Sequence, residues 1–91
     1  MPRIGDWLAW TGIGYREIAA DLGVTPAAIS AAVKRGSRPR WLWDLADLIG
    51  VPPAALMLPP ERSQDGPAAL ARAGLRRLER ERARRRKAEP V

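Results

Sequence analysis

The chain has 91 residues and a formal net charge of +6, with 16 Lys and Arg against 10 Asp and Glu, and it contains no Cys and no His. One small domain plus a tail is all such a length supports, and a domain of that size often gains stability by dimerising. The missing cysteines exclude disulfides and thiolate chemistry. The missing histidines remove the usual general base and metal ligand, so no catalytic residue, no metal and no cofactor are expected.

In chain order, residues 1–3 read as a short arm. Residues 4–10 read as a first helix, with Ile4, Trp7 and Leu8 at i, i+3, i+4 and Trp10 off that stripe. Gly12 stops it, and Ile13 is placed to plug the core from the connection.

Residues 15–35 read as two short helices joined by a tight turn. Ile18, Ala19 and Leu22 give the first an apolar stripe. Gly23 suits the left-handed conformation that ends a helix. Thr25 can cap the next helix, and Pro26 suits its first position because the missing N–H would be unpaired there anyway. Ile29, Ala32 and Val33 form the second stripe, and Ala19 and Ala28 are small enough to let the helices cross closely. The opposite face of the second helix carries Pro26, Ala27, Ser30, Ala31 and Lys34. The basic loop Lys34-Arg35-Gly36-Ser37-Arg38-Pro39-Arg40 follows.

Pro39 opens a helix expected over residues 40–49, with Leu42, Leu45, Ala46 and Ile49 inward, Trp41 and Leu48 on one flank and Trp43 near the other edge. Gly50 ends it. Pro53–Met57 reads as a helix of little more than one turn with Leu56 inward, and Pro59-Pro60 stops it and leaves an extended segment. Residues 61–67 read as a linker by composition. Residues 68–88 read as a helix whose stripe is Ala71, Leu75 and Leu78 with Leu70 beside it, fading into a solvated charged segment over residues 79–87.

No apolar run approaches the roughly 18 residues of a membrane span, and no signal peptide is visible, so a cytoplasmic protein without membrane contact is expected. Ser30, Ser37 and Ser63 have no His partner. Asp6, Glu17, Asp21, Asp44 and Asp47 read as caps and ion pairs, and Gly12-Ile13-Gly14 lacks the strand and the Gly-Lys-Ser/Thr of a phosphate loop. An enzyme is not expected. Charge is uneven: residues 1–60 hold six basic and five acidic side chains, residues 61–91 ten and five. A basic tail on a nearly neutral domain points to a polyanion such as nucleic acid, the alternative being a solubilising tail.

Gly12-Ile13, Ile18-Ala19-Ala20-Asp21-Leu22-Gly23-Val24-Thr25, Ile29-Ser30 and Leu45-Ala46-Asp47-Leu48-Ile49-Gly50-Val51 through Leu56 resemble the phage-repressor or XRE (Cro-like) class of helix-turn-helix regulators. The resemblance spans residues 4–58. Tyr15 departs from it, standing where the family usually has Gln, and so do Ala27, Ala28, Ala31 and Ala32, where longer polar side chains are common.

It implies an all-α fold: a compact four- to five-helix domain over residues 1–60, the linker, and a basic, partly amphipathic C-terminal helix or tail over 68–91. It implies a double-stranded DNA-binding transcription regulator, a phage or mobile-element repressor acting as a homodimer on an inverted repeat. Pro26, Ala27, Ser30, Ala31 and Lys34 would then read bases in the major groove. Tyr15, Arg16, Thr25, Arg35, Ser37, Arg38 and Arg40 would hold phosphates, which position without reading sequence.

The uncharged stretch 51–58 is the most apolar in the chain. With the family's usual dimer region it gives an expected interface of Leu48, Pro52, Pro53, Met57 and Leu58. The Leu70, Leu75 and Leu78 stripe remains an alternative. Three rival functions stay open. One is a DNA-binding antitoxin gripping a protein partner through the C-terminal helix. Another is an RNA-binding protein using the arginine-rich tail. The third is a helix-turn-helix domain used for protein contacts alone.

Overall fold

Four short helices, each stopped by a glycine in the left-handed conformation, build the body of the molecule: α1 (Ile4–Thr11), α2 (Tyr15–Leu22), α3 (Pro26–Arg35) and α4 (Leu42–Ile49). Two 3-10 turns, Pro53–Met57 and Pro60–Arg62, lead into a long helix, α5 (Gly66–Ala88). The computed structural model describes residues 2–88. The fold is all-α: helices make up 74% and no strand occurs among the described residues. Met1 of the expected arm and residues 89–91 of the expected tail lie outside them.

The apolar stripes explain the packing. Ile4, Trp7 and Leu8 from α1, Ile18 and Ala19 from α2, Ile29 and Ala32 from α3, and Leu42, Leu45, Ala46 and Ile49 from α4 converge on one core. Ile13 joins them from the α1–α2 connection and Leu56 from the first 3-10 turn. α1 runs one residue beyond expectation because the Thr11 hydroxyl turns back and donates to the Trp7 carbonyl at 3.0 Å, which lets a polar side chain sit fully buried. The Trp7 indole N–H donates to the Leu58 carbonyl at 2.9 Å, pinning the apolar segment to α1. Between α2 and α3, Gly23 has φ 69°, and a Cβ there would meet nothing within 4 Å, so the backbone angle alone calls for glycine.

Three expectations are corrected. First, α4 begins at Leu42, two residues late: the Leu42 N–H donates to the Pro39 carbonyl at 3.1 Å, so Pro39, Arg40 and Trp41 form a turn instead of a first helical turn. Second, the segment after Pro59 is neither extended nor a loose linker. Pro60, Ser63 and Gly66 are buried, the Ser63 hydroxyl accepts the Asp65 N–H at 3.2 Å, and the Trp10 indole N–H donates to the Gly66 carbonyl at 2.8 Å. A side chain at Gly66 would be driven into the Pro60 carbonyl oxygen, so this corner closes only around glycine.

Third, α5 docks through a different face. Ala69 and Ala73 are buried against the body, whereas Leu70, Leu75 and Leu78 are exposed. Two alanines four apart let the α5 backbone approach closely, and arginines on the same side complete the contact. Arg76 bridges Glu17, at 3.2 Å, and Asp21. Arg80 holds Glu17 at 2.6 Å. The Arg77 guanidinium donates to the Thr11 carbonyl at 2.6 Å. Polar anchors on an alanine seam replace the leucine stripe.

Candidate nucleic-acid interface

α3 is organised by its cap. The Thr25 hydroxyl accepts the Ala28 N–H at 3.2 Å, and Pro26 occupies the first helical position. The helix is thereby fixed in phase, and its buried side is set by Ile29 and Ala32, with Ala28 and Val33 half-buried beside them. The 100° step per residue then turns Ala27, Ser30, Ala31 and Lys34 outward. Ala27 and Lys34 are exposed, Ser30 and Ala31 half-buried, and Pro26 lies exposed at the leading edge. This face is small and uncharged until Lys34. One hydroxyl and three short apolar side chains leave room for a base edge to approach the helix backbone.

Cations frame that face. Tyr15 and Arg16 open α2, both exposed. Lys34 and Arg35 occupy the last turn of α3, where they also favour the negative end of the helix dipole, and Ser37, Arg38 and Arg40 follow in the exposed turn. Thr25 keeps its hydroxyl proton for an outside acceptor, since its capping bond uses only an oxygen lone pair. Residues 22–43 contain four cations and no carboxylate. The nearest acids on the N-terminal side, Glu17 and Asp21, are turned to the flank of α2 that faces α5 and are paired there with Arg76 and Arg80. Asp6 shares a groove with Lys34 at the end of α3 and is paired with Arg3 at 3.6 Å, so the stretch from residue 22 to residue 43 keeps an excess of positive charge, which suits a polyanion.

One cation and one group of cations lie outside the helix pair. Arg3 lines a shallow groove with Gly5, Asp6, Val33, Lys34 and Gly36, which joins the N-terminal arm to the end of α3, and it is paired there with Asp6 at 3.6 Å. At the far end of α5, Arg82, Arg84, Arg85, Arg86 and Lys87 are exposed, and no ion pair involves them among the described residues. Proximity in space is the only signal for Arg3, and sequence does not carry it.

The expected dimer residues separate into three places. Pro52 and Leu58 lie on one side of Ala54, with Arg62 and Ser63. Pro53 and Met57 lie on the other side, in an apolar groove with Pro39, Leu42 and Trp43. Leu48 belongs to neither: it lines a separate groove with Ile13, Ala73 and Leu75 between α4 and α5. Among the described residues no group of three His, Cys, Asp or Glu side chains lies close enough to hold a metal ion, and no helix is long and apolar enough to cross a membrane. Comparison of the chain with protein-family models, with curated proteins and with solved structures finds no match.

Proposed function

We propose that this chain is a cytoplasmic, sequence-specific double-stranded DNA-binding regulator of the phage-repressor or XRE helix-turn-helix type, acting as a homodimer that represses from an inverted repeat. One observation carries the reading: a capped α3 presents a short outer face, uncharged up to Lys34, with Arg35, Arg38 and Arg40 following it and no carboxylate in residues 22–43. α3 lies in the major groove. Ser30 donates to or accepts from a base edge, Ala27 and Ala31 touch thymine methyls, and Lys34 reaches the edge of the site. Tyr15, Arg16, Thr25, Arg35, Ser37, Arg38 and Arg40 hold the flanking phosphates.

Enrichment of duplexes from a randomised library, followed by footprinting, tests the reading. The expected result is an enriched inverted repeat with half-sites about one helical turn apart. Enrichment of no duplex sequence, with binding that ignores base content, overturns it.

A second reading is favoured by the exposure of Leu70, Leu75 and Leu78 on α5. In it the regulator is an antitoxin whose α5 leucines seat a protein partner. The product of an adjacent gene would then form a stoichiometric complex with the full chain that Leu75→Glu abolishes without loss of DNA binding.

A further inference from the structure

We infer that the basic end of α5 is a phosphate-binding arm that engages the same duplex outside the base pairs covered by α3. The inference rests on the DNA-binding reading above and extends it to a second surface of the molecule.

The ion pairs give the direction of α5. Arg76 bridges Glu17 and Asp21. Arg80, one turn later, holds Glu17 at 2.6 Å but stands 4.0 Å from Asp21. α5 therefore advances from Asp21 toward Glu17, against the chain direction of α2. Its C-terminal turns continue past the start of α2, where Tyr15 and Arg16 sit. Arg77, whose guanidinium meets the Thr11 carbonyl, lies beside the connection that enters α2, in agreement with this course.

The reach follows from helix geometry. Arg80 to Lys87 covers about 10 Å at 1.5 Å per residue, whereas Glu17 to Tyr15 covers only about 3 Å. The last turn of α5 therefore overshoots the start of α2 by about 7 Å. Along the DNA axis that overshoot of about 7 Å matches about two phosphates of one strand.

The chemistry of the arm fits phosphate and little else. Arg82, Arg84, Arg85, Arg86 and Lys87 fall all round the helix and leave no apolar stripe for a protein groove. Five like charges in six residues repel one another, and a polyanion relieves that repulsion. Arg76 and Arg80 spend their charge on Glu17 and Asp21, so they anchor the arm and lie outside the phosphate-binding set.

The test compares the full chain with a variant in which Arg82, Arg84, Arg85, Arg86 and Lys87 are all changed to Ala. Alanine keeps the helix, and the changes lie beyond the docked part of α5. The probe is a duplex enriched by the full chain from a randomised library of about three helical turns. Affinity is measured against salt, and phosphates are mapped by ethylation interference.

The variant should keep the base preference of the full chain. Its affinity should fall about tenfold or more, and its salt slope should become shallower by about two to three units. The phosphates it no longer needs should lie outside the base pairs whose identity the selection fixes. An unchanged slope with an unchanged phosphate map overturns the arm and leaves the α3 reading intact. So does a changed base preference, which would place these residues in the groove. An RNA hairpin that outcompetes the enriched duplex for the full chain, but not for the variant, makes the end of α5 an RNA site and overturns it too. If no duplex is enriched at all, the DNA-binding reading fails and the arm falls with it.

Discussion

A single methyl-sized position distinguishes groove contact from mere helix propensity on α3. Ala31 lies on the outer side of the helix, and glutamate is a good helix former, so Ala31→Glu leaves the fold intact. On the proposed reading it sets a carboxylate against the phosphate field. The expected outcome is a normal thermal melt with operator binding weakened by about a hundredfold, which is about 2.7 kcal/mol. An Ala31→Glu protein that melts normally and binds its operator as before would place the groove elsewhere. Arg38 is different in kind. It is exposed in the turn after α3, without an acidic partner among the described residues. Arg38→Ala should weaken binding to all duplexes alike and make the salt slope shallower by about one unit. Structural positions give a third contrast. Trp10→Phe keeps an aromatic side chain but loses the fused pyrrole and the N–H donated to the Gly66 carbonyl, and should cost at least about 1 kcal/mol in a denaturant melt. The outer-face residues of α3 were legible from periodicity alone, because Ile29 and Ala32 fix its phase. The role of Trp10 was not, because its partner lies 56 residues away and is a backbone carbonyl, which no side-chain pattern announces.

At the scale of elements, α1 to α4 could be read because apolar residues at helical spacing and a following glycine define each of them. α5 could be found but not docked. A hydrophobic pattern favours Leu70, Leu75 and Leu78 as the buried side, yet the packed seam is Ala69 and Ala73. The overlooked signal is a matched pair of spacings: Glu17 and Asp21 are four apart on α2, and so are Arg76 and Arg80 on α5. Two carboxylates and two guanidiniums at the same pitch form a ladder only when the helices lie side by side, a long-range fact. Glu17 and Arg76 are half-buried whereas Asp21 and Arg80 are exposed, so the network is worth more than a surface pair and less than a core one. Arg76→Ala leaves Asp21 with only the distant Arg80. It should cost about 1 kcal/mol, an amount that shrinks in high salt. Leu75→Ala should change stability by less than about 0.5 kcal/mol, since the side chain is 63% exposed. Denaturant titrations at two salt concentrations, followed by tryptophan fluorescence, compare the two. A larger loss for Leu75→Ala would reverse the docking face.

For the whole molecule, the proposed reading raises the question of how two copies would meet, because a single helix in the groove reads too few base pairs for specific affinity. The dimer face must be apolar and lie away from α3. Leu48 is withdrawn from the expected set by its place between α4 and α5. What remains is a surface centred on Ala54, with Leu58 and Pro52 on one side and Trp43, Pro53 and Met57 on the other. Trp43 is 68% exposed and Leu58 52%, so each monomer leaves two large apolar side chains uncovered there. The rival surface on α5 holds Leu70, Leu75 and Leu78, but it continues directly into Arg82 and the basic run. A parallel pairing of two α5 helices would set those cations side by side, and an antiparallel one would offer only about two turns of contact. The Ala54 surface carries no such run: its cations are Arg62, which has Asp65 in the same groove, and Arg38 on the other side. It also allows a clean test, because the fold uses the main chain of Leu58 and not its side chain: the Leu58 carbonyl accepts the Trp7 indole N–H, while the side chain points out. Leu58→Glu should therefore fold, sediment as a monomer and lose at least about tenfold in affinity for an inverted repeat while keeping its affinity for a single half-site. Leu75→Glu should remain a dimer with unchanged repeat binding. Sedimentation of both proteins at one concentration decides the matter: a dimeric Leu58→Glu beside a monomeric Leu75→Glu would transfer the interface to α5, and the arms of the two copies would then have to diverge from a shared helix pair.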